Sequence, residues 1–401
     1  MSGALVKAKL ADVADLNPSL SQVPAADEAV SFLPMSAVDA DRTEAVDSET
    51  RPFAEVSKGY TPFLPNDVLV AKITPCFENG KIALATPTRR FGFGSTEFHV
   101  VRAHARMLDP RYLVHFMRQE RIRLDGQRKM TGSAGQRRVP EHFLAGLQIP
   151  LPPLPEQRRI AEILDKADAL RAKRRAALAK LDTLTQSIFL DMFGDPAANG
   201  WIMTTIDGVA AHTDGAIRTG PFGSQLLHSE FTEEGIAVLG IDNAVENEFR
   251  WGQRRFISES KYRQLARYTV RPGDVLITIM GTCGRCAIVP DDIPVAINTK
   301  HLCCITLNHT KCLPVFLLAY FLRHPIARSY LERRAKGAIM AGLNMGIIRE
   351  MPIPLAPIEL QERFAKKIEA LGCVKLAHCN REASLSALFA SLQHRAFRGE
   401  L

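Results

Sequence analysis

"IPLPPLPEQRRIA" (149–161) and "IPLAPIELQERFA" (353–365) are nearly the same phrase, written twice at an offset of 204 in a chain of 401 residues. Ile149, Pro150, Leu151, Pro153, Gln157, Arg159 and Ala161 recur as Ile353, Pro354, Leu355, Pro357, Gln361, Arg363 and Ala365. Leu181, Leu184, Ser187 and Phe193 recur at the same offset as Leu385, Leu388, Ser391 and Phe397. Self-similarity at a fixed period is the signature of an internal duplication, and it decides the fold before any local reading does. Proline removes a donor and pushes its predecessor toward extended backbone, so each phrase opens as a rigid extended lead. From Glu156 there is no Pro or Gly until Gly194, and Ala, Leu, Lys, Arg and Glu dominate. This predicts a long helix over 156–192 and a counterpart over 360–397.

Stepping by three and four along the first helix gives Ile160, Ile163, Ala167, Leu170, Arg174, Ala177, Leu181, Leu184 and Ile188, apolar except for Arg174. A narrow stripe held over several heptads is the seam of a coiled coil. The second helix steps through Phe364, Leu371, Val374, Leu385, Leu388 and Leu392, interrupted by Lys367, His378 and Arg381. Each stripe needs a partner, and the other copy is the obvious candidate. Leu164, Leu178, Phe189 and Phe193 fall outside the seam and imply a further contact or a core beneath the adjoining domain.

The segments between the repeats echo one another more loosely. "LPNDVLVAKITPCFENGKIALA" (64–85) resembles "VRPGDVLITIMGTCGRCAIV" (270–289), and "RYLVHFM" (111–117) parallels "VFLLAYFL" (315–322). Strands, Gly turns and short helices alternate, an α+β pattern. The expected organisation is a variable domain over 1–148, a conserved lead and helix over 149–196, a second variable domain over 197–350 and a second lead and helix over 351–401. Each variable half carries a basic run just before its conserved segment: Arg118, Arg121, Arg123, Arg128, Lys129, Arg137 and Arg138 in the first, and Arg323, Arg328, Arg333, Arg334 and Lys336 in the second. One such run is ordinarily a solvated helix face, but its doubling favours a polyanion. "RTGPFGSQL" (218–226) adds Arg218 beside exposed amides, a pattern suited to phosphate or base contacts.

The net charge of +8 points the same way. With 46% apolar and 23% charged residues the composition is that of a folded protein, and the length suits two or three domains. No signal peptide or membrane span is evident, so the chain reads as cytoplasmic, and its eight cysteines read as free thiols.

Chemistry is harder to find. There is no G-x-x-x-x-G-K-[ST] phosphate cradle and no H-E-x-x-H zinc helix, and "FGFGS" (91–95) lacks dinucleotide spacing. The Asn/Asp-Pro-Pro-aromatic turn of an adenine methyltransferase is missing. Cys283, Cys286, Cys303 and Cys304 approach zinc-ribbon spacing, but the second pair is adjacent and the first half offers only Cys76 in the equivalent turn. The expectation is a chain with no catalytic residue, cofactor or metal of its own.

The duplicated Pro-rich lead with its Glu-Gln-x-Arg-Ile motif, the long helix after it and "TGPFGSQL" together resemble the DNA-specificity (S) subunit of type I restriction-modification enzymes, across essentially the full chain. The resemblance implies two α+β target-recognition domains, each reading one half of a split double-stranded DNA site, separated by two long conserved helices paired as an antiparallel coiled coil. It implies two methyltransferase subunits and motor-nuclease subunits as partners, with S-adenosylmethionine, ATP and Mg confined to them. In the second copy Glu359-Leu360-Gln361-Glu362-Arg363 replaces Pro155-Glu156-Gln157-Arg158-Arg159, and its more polar seam suggests pairing that is weaker or shared. On this reading the candidate DNA-binding residues are Lys72, Thr74, Lys129, Gln136, Arg137 and Arg138 in the first half. In the second they are Arg218, Ser224, Gln225, Asn243, Thr282, Arg285, Lys300, Lys336 and Asn344. Two rival readings are a scaffold that binds nucleic acid without sequence preference and a modification enzyme with its own cofactor site.

Overall fold

The computed structural model describes residues 6–47, 49–133, 135–335 and 343–401. They divide into two compact units, one built from residues 1–178 and 377–401, the other from 179–376. Each unit is an α+β domain with one half of each long helix.

The two domains repeat one topology. In the first, a sheet runs in the order Ala14–Leu16, Phe98–Ala103, Val68–Ala71, Ile82–Thr86, Glu44–Val46. In the second, the order is Ile217–Thr219, Leu302–Ile305, Val275–Thr278, Cys286–Ile288. The central strand of each is buried at every residue, as a strand covered on both faces should be. A Pro-x-Asp turn launches it, and the residue before the aspartate takes positive φ, Asn66 at 69° and Gly273 at 78°. Asn and Gly are the residues that tolerate that conformation, so the two turns differ in sequence and agree in shape. A second sheet in each domain contains one parallel pair, Ser31 opposite Gly92 and Ala237 opposite Ala296.

The proline-rich leads are extended, as expected, and each forms a two-stranded ribbon. Gln148–Pro150 pairs with Lys7–Lys9, and Pro352–Pro354 with Met203–Thr205, both antiparallel. Helices then run over Leu154–Phe193 and Ile358–Ala396. The first starts two residues before the predicted position because Pro155 sits in the opening turn, where its missing N–H costs nothing.

The helices pair antiparallel within each unit. In the first, Arg171 Nε donates to Ser386 Oγ at 3.2 Å and its guanidinium covers Phe389 at 4.6 Å. In the second, Lys375 meets Asp182 at 3.1 Å, and Phe193 packs on Phe364 at 5.4 Å. Position rises along one helix as it falls along the other. The polar breaks in the two stripes answer each other: Arg174 donates to His378 Nδ1 at 3.0 Å. Lys367 and Arg381 are exposed.

The predicted seam is only partly covered. Leu170, Leu184, Val374 and Leu388 stay 54%, 43%, 44% and 52% exposed, whereas Leu164, Phe189 and Phe193 are fully buried. Of the apolar residues outside the seam, Leu164 therefore joins the core of the first unit and the two phenylalanines that of the second, while Leu178 is only half-buried. Burial against a broad domain surface covers more of a helix than one facing helix can, and each fully buried phenylalanine contributes roughly 2–3 kcal/mol.

Candidate nucleic-acid interface

In the first domain a short bridge assembles most of the predicted residues. Thr74 N donates to the Arg137 carbonyl at 2.9 Å, and Val139 N to the Lys72 carbonyl at 2.8 Å. Lys72, Thr74, Arg137 and Arg138 are thereby drawn together where the strand Val68–Ala71 ends. Lys129, the exposed last residue of the helix Glu120–Lys129, and exposed Gln136 adjoin them in sequence. Several of these groups already have partners. Arg138 makes a two-pronged ion pair with Glu97, closest at 2.8 Å, and holds its carboxyl below the ordinary value. Arg137 donates to the Gln127 carbonyl at 2.7 Å, and Thr74 Oγ1 to Glu78 at 2.9 Å. Of the wider basic run, Arg118 donates to the carbonyls of Ala40, Arg42 and Ile82, and Arg123 to that of Glu78. Charge density in the sequence thus overstates the charge free to meet a polyanion.

The second domain builds the equivalent corner from other residues. Lys72 N donates to the Glu97 carbonyl in the first domain, and Ile279 N to the His301 carbonyl in the second, at 2.8 and 2.9 Å. Thr299 N bonds Leu239 O at 2.9 Å and Gly220 N bonds Thr299 O at 3.3 Å, so the loops after Thr219, Leu239, Thr278 and Asn298 meet. A Cβ on Gly220 would stand 1.9 Å from the Asn298 carbonyl, which is why glycine is required there. Exposed Ser224, Thr282 and Arg285 lie on these loops together with half-buried Lys300.

Four predicted residues are engaged in the fold. Arg218, 9% exposed, pairs with Asp274 at 2.6 Å and donates to Thr306 Oγ1 and the carbonyls of Gly215 and Thr269. Asn243, 3% exposed, accepts from Gly240 N and donates to the Arg250 carbonyl. Asn344 caps the helix Met345–Arg349 by accepting from Ile347 N, and Gln225 accepts from Phe222 N and Tyr268 Oη. The structure thus puts Arg218 and Asn243 inside the domain, not on its surface, because a buried aspartate and an irregular loop claim their polar atoms. Lys336 lies outside the described residues.

Residues outside the predicted set join Lys300 at the second corner. A groove of about 590 Å³ is lined by Thr232, Gln253, Arg254, Arg255, Lys300 and His301, among others, and among the described residues by no carboxylate. The "WGQRR" run (251–255), an aromatic followed by paired arginines, was the available clue. A larger groove of about 820 Å³ in the same unit has Asp182, Glu246, Glu248 and Glu332 in its wall, which suits a polyanion poorly.

Cys286, Cys303, Cys304 and Cys312 are buried free thiols. Cys303 and Cys304 are neighbours on one strand and so face opposite sides of the sheet, in separate cores. Burial pushes the Cys303 thiol up to about 12 and Cys304 well above the ordinary range. Among the described residues no group of three His, Cys, Asp or Glu side chains converges to hold a metal ion, and no helix is long and apolar enough to cross a membrane.

Comparison with known proteins adds the following. The sequence profile described as the type I restriction modification DNA specificity domain matches residues 7–180 and 234–385. The chain is 34% identical over 184 residues to the type I restriction enzyme EcoAI specificity subunit of Escherichia coli, covering 45% of this chain and 31% of that protein. It is 38% identical over 158 residues to the EcoEI specificity subunit of the same organism, covering 39% of this chain and 26% of that one. The matches thus span about a third or less of those relatives' lengths. A solved structure described for complex assembly and conformational transition of the type I R-M system shares the fold, with TM-score 0.60, 21% identity and coverage of 99% and 98% of the two chains.

Proposed function

Because this chain belongs to the type I restriction modification DNA specificity family, we propose that it is the sequence-reading subunit of a restriction-modification complex, each domain recognising one half of a bipartite double-stranded DNA site. The observation that carries this reading is the equivalence of the two corners. The same backbone hydrogen bond, Lys72 to Glu97 and Ile279 to His301, closes each domain where its polar loops gather, while the side chains presented differ. A duplicated scaffold with unlike contact residues suits two unlike half-sites, and joining them makes the second contact intramolecular.

The chain itself catalyses nothing on this reading. Two methyltransferase subunits, and through them motor-nuclease subunits, bring S-adenosylmethionine, ATP and Mg. Exposed Leu170, Leu184, Val374 and Leu388 on the long helices give such partners apolar surface to cover, and the internal duplication favours two copies. The helices set the spacing between the half-sites.

The test is selection of bound duplexes from a pool of random sequence by the full chain, followed by sequencing. Enrichment of a split motif, bound about 10³-fold or more above random DNA at fixed salt, is the expected result. Binding without any enriched motif favours a non-specific scaffold instead, and binding of S-adenosylmethionine by the chain alone favours an enzyme.

A further inference from the structure

The two domains share a scaffold but keep their uncommitted polar groups in different places. The positions just before the strands Phe98–Ala103 and Leu302–Ile305 illustrate this. Offset by 204, Thr96 and Glu97 of the first domain correspond to Lys300 and His301 of the second. Glu97 is tied to Arg138, so the first domain closes this spot with an ion pair. In the second domain the spot stays open as the 590 Å³ groove. Its arginines are unequal. Arg255 is bound to Asp242 at 2.6 Å, while Arg254 rests over the Trp251 ring at 5.5 Å and has no ion pair among the described residues. Lys300 and Gln253 have neither an ion pair nor a side-chain hydrogen bond among the described residues. The hydroxyl of Thr299, also in the wall, has no hydrogen-bond partner among the described residues.

We propose that this groove holds one strand of the recognised duplex, with Arg254 and Lys300 on its phosphates and Gln253 and His301 on base edges, so that the second half-site is read here and the first is not read from the matching position of its own domain. The inference rests on the DNA-reading function above. The chemistry assigns the roles. Flexible cations without a carboxylate partner suit phosphate oxygens, whereas an amide presents a donor and an acceptor together, the pattern that base edges offer. Burial, with Lys300 and Arg255 close by, holds the His301 ring below the ordinary histidine value. A neutral imidazole has one donor and one acceptor, as a base contact needs and a phosphate clamp does not.

The random-duplex selection separates these roles. Arg254→Ala with Lys300→Ala should weaken binding and lower the slope of log affinity against log salt by about two units, leaving the enriched motif unchanged. Gln253→Ala with His301→Ala should leave the slope unchanged and relax only one half of the motif, with discrimination there falling about tenfold or more. Lys300→Arg should restore the slope that Lys300→Ala loses. Unaltered melting temperatures separate lost contacts from lost folding. Both halves relaxing together, or neither pair affecting binding, overturns the proposal while the wild-type motif stands. If the wild-type chain enriches no split motif, the DNA-reading function itself fails, and this inference with it.

Discussion

Arg218 lies 2.6 Å from Asp274 inside the second domain, and the equivalent aspartate of the first, Asp67, is met instead by Arg102 at 2.7 Å from a different strand. Both carboxylates are 1% exposed, and each also accepts a backbone N–H from its own turn, from Leu64 and from Arg271. The duplication has kept a cation against the buried carboxylate and changed the strand that supplies it.

Arg218→Ala should therefore act on stability and not on recognition. Removing one partner of a buried pair leaves the other charge uncompensated, a loss of about 3–5 kcal/mol. Denaturant unfolding should register it, and Arg102→Ala should give a similar or smaller loss, because that arginine is more exposed. A change in the second half of the DNA motif without a loss of stability contradicts this assignment.

Gln157 and Gln361 make one set of three hydrogen bonds twice. Gln157 accepts from Asp109 N and donates to the carbonyls of Met107 and Pro152, each at 2.8 Å. Gln361 accepts from Leu313 N and donates to those of Lys311 and Ala356, at 2.9, 3.0 and 2.8 Å. Both side chains are fully buried. Replacement by alanine at either position should cost about 2–4 kcal/mol through stranded backbone groups, and replacement by glutamate at least as much. Calorimetry should show losses of similar size for the two sites.

Acidification should destabilise the chain before its carboxylates titrate. His99 accepts from Asn17 through Nδ1 and donates to the Val139 carbonyl through Nε2, while His324 accepts from Ile326 N and donates to the Phe193 carbonyl. Both arrangements fit a neutral ring. Burial lowers both values in the folded state. Where only the unfolded chain takes up the proton, stability falls with pH, so it is fully present above the unfolded value of about 6.5 and is lost progressively below it. Melting temperatures measured between pH 7.5 and 5, roughly bracketing that value, should drop, and His99→Gln with His324→Gln should flatten the dependence.

A seven-residue insertion after Ala177, matched by one in the C-terminal helix, tests the helices as a ruler. Whole heptads preserve the pairing register and add about 10 Å at roughly 1.5 Å per residue. At about 3.4 Å per base pair, the spacer between the half-sites should grow by about three base pairs. Selected motifs should keep both halves unchanged. An unaltered spacer with altered halves overturns the helices' assigned role.

The repeat, the long helices and the α+β character were legible because they depend on composition and period, which are local properties. Strand partners were not. Ser31 lies parallel to Gly92, across 61 residues, and no short-range pattern announces such a pairing. The burial of Arg218 is not legible for the same reason: its glycine-rich neighbours suggest an exposed turn, while its environment is set by Asp274 far along the chain. Leu170 and Leu164 show the limit of periodicity. A stripe tells which residues want burial, but whether the facing helix or the adjoining domain provides it is a tertiary matter. Gln253 and Arg254 escaped notice because the first half has no counterpart to draw attention to them.

One unit is a single stretch of chain, 179–376, while the other needs both 1–178 and 377–401. Phe397 packs on Tyr112 and Phe116 at 4.9 and 5.5 Å, and Gln393 donates to the His115 carbonyl at 2.9 Å. During translation, then, the domain made first is completed last. The ribosome must add the whole intervening unit before those residues arrive, a delay on the order of 10–40 s at roughly 5–20 residues per second. Throughout that interval Tyr112 and Phe116 lack the Phe397 ring that packs on them in the folded unit.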